Sequence, residues 1–133
     1  MNIGEAAAAS GVSPKMIRNW EAAGLLPAPV RTASNYRVYR DRDIEVLTFV
    51  RRARDLGFSM IEIRRLLSLW RDGQRASATV KAMALDQVAE LDRRIAELQE
   101  MKVRLTALAE ACAGDEGPDC AIIAGLEGFS PQP

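Results

Sequence analysis

From Ser77 to Ala111 the chain runs without a single proline or glycine, and its apolar residues Ala84, Val88, Leu91, Ile95, Leu98, Met101, Leu105 and Leu108 recur every three or four positions. That spacing puts them on one face of a continuous helix about 50 Å long at 1.5 Å per residue. Its other faces, carrying "DRR", "QE" and Lys102, are polar. A narrow apolar seam of this length needs a partner helix. A small head is too short to cover it, so the pattern predicts a dimerising coiled coil. The competing reading is a terminal helix docked back on its own head.

The remaining length fits one compact unit, since the chain has 133 residues of which 48% are hydrophobic. No apolar run reaches the length of a membrane span, and "MNIGEAAAASGVSPK" lacks the basic start and apolar centre of a signal peptide. The expected location is cytoplasmic, with no membrane partner. Overall charge is zero, but residues 1 to 72 hold 12 Lys+Arg against 8 Asp+Glu, and residues 73 to 133 hold 6 against 10. A head at net +4 and a tail at −4 suit a DNA-binding head, because only the head has to displace counterions from phosphate.

Local signals divide the head into short helices. Asn2 and Glu5 have capping-box spacing, so a helix begins near Ile3, and Gly11 stops it. Ser13 N-caps a second helix with Pro14 at its first position, ending at Gly24. Two short helices joined by a tight turn follow the helix-turn-helix plan, in which the second enters the major groove. Lys15, Arg18, Asn19 and Trp20 lie on that second helix. Arg and Asn can read guanine and adenine edges, while Lys neutralises phosphate. The competing reading is a solvated face with Trp20 in the core.

"LLPAPVRTASNYRVYRDRD" opens with two prolines, turns at Ser-Asn and then alternates, the pattern of a β-hairpin wing. Arg31, Tyr36, Arg37 and Tyr39 are its candidate DNA contacts. Asp41 is expected to cap a third helix closed by Gly57, and Ser59 with Glu62 to open a fourth through Trp70. Asp72 and Gly73 then break the chain ahead of the long helix.

The only two cysteines, Cys112 and Cys120, flank a loop containing Gly114, Gly117 and Pro118, and the chain has no histidine. Thiolates suit Cu(I), Zn(II) and iron-sulfur clusters. A structural zinc site would need carboxylates such as Asp115, Glu116 or Asp119, which is atypical, and a [2Fe–2S] cluster would need four cysteines. Two thiolates alone satisfy a monovalent ion in linear coordination, so composition and spacing are compatible with Cu(I). Two inert buried thiols remain an alternative. A dithiol enzyme is a third, but no His, CxxC or nucleotide loop is present to activate the chemistry.

Taken together, "NIGEAAAASGVSPKMIR", "NYRVYRDRDIEVLTFVRRARDLGFS", "SATVKAMALDQVAEL" and "CAGDEGPDCAII" resemble the MerR family of bacterial transcription regulators, and within it the CueR/HmrR copper-sensing branch. The resemblance covers nearly the whole chain. It departs from the family pattern at "RNWE", at Asn35 and at Ala121.

It implies a mainly α fold: a winged helix-turn-helix head (residues 1–75), a dimerisation helix forming an antiparallel coiled coil (76–111), and a metal-binding loop with its tail (112–133). It also implies a homodimer on double-stranded promoter DNA, acting with RNA polymerase and not as an enzyme. Cu(I), or Ag(I) or Au(I) by the same chemistry, would be held by Cys112 and Cys120. Two thiolates and one monovalent ion sum to −1, and a buried charge needs compensation. The start of the long helix and Lys81 can supply it. The resemblance implies that this helix start belongs to the other protomer and brings Ser77 over the site, where sensors of divalent ions carry a third Cys. A sensor of another ion or a thiol-redox sensor is the nearest rival.

Overall fold

The computed structural model describes residues 1–72, 77–114 and 120–128. Its elements in chain order are α1 (Ile3–Ser10), α2 (Pro14–Ala22), β1 (Val30–Arg31), β2 (Arg37–Val38), α3 (Asp41–Asp55), α4 (Met60–Arg71), α5 (Ser77–Ala111) and α6 (Ala121–Leu126). The chain separates into two compact units, Met1–Met83 and Ala84–Pro133.

Caps set the boundaries in the first unit. The Asn2 side chain accepts the Glu5 N–H at 2.8 Å while Glu5 accepts the Asn2 N–H at 3.0 Å. Gly11 ends α1 at φ +74°, a left-handed conformation that glycine adopts without steric penalty. A side chain there would also meet Arg51, whose Nε lies 3.2 Å from where a Cβ would stand. That arginine donates instead to the Ser10 carbonyl at 2.9 Å, tying the helix-turn-helix turn to α3. Ser13 and Ser59 cap α2 and α4 as the sequence suggests.

One boundary differs from expectation. Arg40, not Asp41, is the N-cap of α3. Asp43, third in the helix, accepts the Arg40 N–H at 2.8 Å, so Asp41 is drawn into the first turn. Both acids there favour the positive end of the helix dipole.

The core of the head gathers on α3. Val46, Leu47 and Val50 are fully buried, packed in one cluster with Ala6, Val12, Ile17, Trp20, Leu25, Tyr39, Ile63 and Leu67. At the edge of this core Phe49 stacks on Trp70 with ring centroids 4.4 Å apart. The wing is an antiparallel pair with Val30 opposite Val38 and Arg31 opposite Arg37. Its tip turns at Asn35, φ +68°. Asn is among the few residues besides Gly that tolerate this region, so it can stand where the family pattern has glycine.

In the second unit, α5 continues as a helix whose apolar seam is open. Val88, Leu91, Ile95, Leu98, Met101 and Leu105 are each between 39% and 63% exposed. The polar face is laced by pairs of Arg93 with Glu90 and Glu97, and of Arg94 with Glu90. Short α6 lies against the end of α5, where a Cβ on Gly125 would come within 3.0 Å of the Leu108 side chain. Among the described residues no helix is long and apolar enough to cross a membrane.

Leu47 is fully buried where the elements of the head converge, so Leu47→Ala should cost about 2–5 kcal/mol through lost burial and an unfilled cavity. Urea unfolding at fixed protein concentration measures this.

Candidate nucleic-acid interface and thiol site

Alternation around α2 sorts its residues cleanly. Ile17 and Trp20 point into the core, while Lys15, Arg18 and Asn19 are exposed. Trp20 is 2% exposed, which removes it from the expected set of DNA contacts. Packing under α2 has taken the ring that the sequence left open to either role. Its indole N–H finds no hydrogen-bond partner among the described residues.

The wing divides in the same way. Arg31 and Tyr36 are exposed, and Arg31 braces the hairpin by donating from Nη1 to the Asn35 carbonyl at 3.2 Å. Tyr39 is 3% exposed and belongs to the core, so it too is withdrawn from the expected contacts. Arg37 is only 11% exposed along its side chain. Its Nε lies 3.0 Å from the Glu21 carboxylate, its Nη1 lies 3.7 Å from Asp43, and its guanidinium covers the Tyr39 ring at 4.4 Å. Such an arginine is a structural tie between wing, α2 and α3.

Lys15, Arg18, Asn19, Arg31 and Tyr36 are left facing outward. Arg18, Arg31 and Tyr36, together with Asn2, Glu21 and Arg37, line a cleft of about 500 Å³ between α2 and the wing. Three arginines against one glutamate give it a positive balance, the electrostatic requirement for holding a phosphate backbone. Sequence reading missed Glu21 and Asp43. The only available signal was their opposite charge, because Glu21 and Arg37 are sixteen residues apart and no local spacing rule pairs them.

Tyr39 records how closely this junction is packed. Its phenol is pushed up to about 12, first by burial and then by the hydrogen bond and negative charge of Glu21, with Arg37 and Arg18 opposing.

The thiols occupy the second unit. Cys112 follows the last turn of α5, its N–H donating to the Ala109 carbonyl at 3.2 Å. Cys120 is the N-cap of α6. Ala121 therefore takes the first helical position, where proline is favoured because its missing N–H costs nothing and where alanine, a strong helix former, also starts the turn. The two sulfurs are 3.6 Å apart, unbonded and half-buried. The Cys120 thiol is held below its ordinary value, chiefly by the backbone N–H of Ile123, then by the Cys112 thiol and the N–H of Ile122.

This pair fits a soft ion as ligand. A disulfide would bring the sulfurs to about 2.05 Å, whereas two thiolates in line with an ion need about 4.6 Å at a zinc-like bond of about 2.3 Å. The observed separation of 3.6 Å lies between the two. Among the described residues no group of three Cys, His, Asp or Glu could hold a metal. Asp115, Glu116, Gly117, Pro118 and Asp119 lie outside the described residues. Ser77 and Lys81 are exposed on the first turns of α5, in the unit that does not contain the cysteines.

Comparison with known proteins adds an independent line. The family profile "MerR HTH family regulatory protein" matches residues 1–70, and "MerR, DNA binding" matches residues 44–108. Heavy metal-dependent transcription regulator 2 of Rhizobium meliloti is 56% identical over 132 residues, covering 99% of this chain and 90% of that protein. The HTH-type transcriptional regulator CueR of Yersinia pestis is 48% identical over 128 residues, covering 96% and 92%. Among solved structures, the lead(II) complex of a transcription regulator from Ralstonia metallidurans superposes with a TM-score of 0.79 at 29% identity, covering 95% of this chain and 98% of that one.

Because folding raises the Tyr39 pKa, its contribution to stability is complete below about pH 10 and disappears as pH rises from 10 towards 12. Thermal unfolding across that interval should show a steep loss for the wild-type protein and a flatter one for Tyr39→Phe.

Proposed function

This chain belongs to the MerR family of helix-turn-helix regulators, transcription regulators and not enzymes, and we propose that it is a homodimeric, copper-responsive activator of promoters. The observation that carries the metal assignment is the pair of thiols 3.6 Å apart in a chain with no other cysteine and no histidine. Two soft donors suit a monovalent ion, with Cu(I) the natural signal and Ag(I) and Au(I) chemically equivalent stand-ins. The names of the relatives, a heavy metal-dependent regulator and CueR, agree with this reading.

The open seam of α5 supports the dimer. Six half-exposed apolar side chains in a row are stable in water only when a second seam covers them, and an identical helix running antiparallel offers one. In that arrangement the partner's Ser77 and Lys81 approach Cys112 and Cys120. A lysine and the positive end of a helix then offset the −1 of two thiolates and one monovalent ion, while the serine hydroxyl supplies no third soft ligand.

On DNA, Lys15, Arg18 and Asn19 enter the major groove and Arg31 and Tyr36 grip the backbone beside it. The dimer sits in the cytoplasm on a two-fold operator between promoter elements that are badly spaced for RNA polymerase. Both forms bind. The metal-loaded form is the one whose DNA is bent and untwisted, so the ion shifts the population towards the active promoter. The genes switched on serve copper efflux or detoxification.

Cys112→Ser should abolish induction by Cu(I) while leaving the operator footprint intact; reporter induction that survives the change would refute the two-thiolate site. Arg18→Ala should weaken operator binding by about 1–3 kcal/mol with or without metal, as read by gel shift, and an unchanged footprint would remove Arg18 from the interface.

A further inference from the structure

Glu21 is the one acidic residue among the described residues lining the cleft between α2 and the wing. A carboxylate facing a polyanion opposes binding, so its presence calls for a return elsewhere. Its contacts show what that return is. The Arg37 guanidinium donates to it from Nε at 3.0 Å, and its carboxylate is among the causes that push the neighbouring Tyr39 phenol up. Arg37 is in turn stacked on the Tyr39 ring and faces Asp43, which is wholly buried at the start of α3. One carboxylate on the recognition helix therefore holds Arg37 of the wing strand directly and, through the guanidinium stacked on its ring, Tyr39 just beyond it.

We propose that Glu21 is a positioning residue for DNA recognition: by holding Arg37 and Tyr39 it fixes the wing against α2, so that Arg18 and Asn19 meet the bases while Arg31 and Tyr36 meet the phosphates. The inference rests on reading the head as DNA-binding. Charge and geometry here work in opposite directions. Removing the charge frees Arg37 and raises the positive balance of the cleft, which favours any DNA. It also releases the angle between wing and helix, which penalises only the correct sequence. Glu21 gives up general affinity and gains discrimination.

The test uses the full-length protein, a duplex selected by the wild-type protein from a random-sequence pool, and a scrambled duplex of equal composition. Glu21→Gln is expected to lower the ratio of selected to scrambled affinity by about tenfold, within the range of coupling between contacting residues. Binding to the scrambled duplex should hold or tighten, and the dependence of log affinity on log salt should steepen by about one. Glu21→Asp keeps the charge on a shorter arm. It should give an intermediate ratio with the wild-type salt dependence, and it carries the test if the glutamine variant does not fold. A parallel fall in both affinities with an unchanged ratio and salt dependence would reduce Glu21 to a stability role and overturn the proposal, as would no change at all. Failure of the wild-type protein to select any sequence would instead overturn the DNA-binding reading beneath it.

Discussion

Burial of one face of α3 is the interaction on which the head depends. Val46, Leu47 and Val50 lose all contact with water, and every other part of the head is set by what packs on them. The same helix fixes its neighbours by polar contacts at both ends. At its start, buried Asp43 takes the Arg40 N–H and faces Arg37 of the wing. Towards its end, Arg51 holds the carbonyl of the tight turn between α1 and α2. Recognition helix and wing are thus referenced to one rigid element. A DNA-reading surface built from two separate pieces of chain needs such a frame, because neither a nine-residue helix nor a pair of two-residue strands is stable alone.

Much of this was legible in the sequence wherever the governing physics is local. Caps at Asn2, Ser13 and Ser59, the left-handed turn at Gly11 and the uninterrupted period of α5 all depend on residues within a few positions of one another. The failures have a common cause. Trp20 and Tyr39 carry a polar atom on a large apolar body, and only the tertiary packing decides which half governs. The ties of Arg37 were not legible because its anionic partners are distant in sequence or belong to the next helix. Arg40 displaced Asp41 as the cap because Asp43 reached back, a competition between two acids two residues apart.

The thiol site shows a further limit of local reading. The two donors could be identified from count and type, and the structure brings their sulfurs to 3.6 Å. The backbone N–H groups of α6 lower the Cys120 thiol from within the chain, while the start of a long helix, a lysine and a serine come in the proposed dimer from another copy. A metal site divided in this way ties ligand binding to the relation between two protomers. In the proposed dimer, that tie would let a bound ion be felt at the DNA.

The ion pairs along α5 bear on how such a chain chooses its mate. Glu90, Arg93, Arg94 and Glu97 neutralise one another within their own helix. They therefore offer little charge pattern with which to reject a cousin carrying a similar seam, since discrimination by flanking residues requires charges that look outward for partners. In the proposed dimer, fidelity then leans more on the shape of the apolar row, on the alternation of Leu, Ile, Val and Met along it. In a cell holding several sensors of this architecture, the relative abundance of each would then govern how many mixed pairs form, and a regulator could lose its response through dilution by a relative without any change to its thiols.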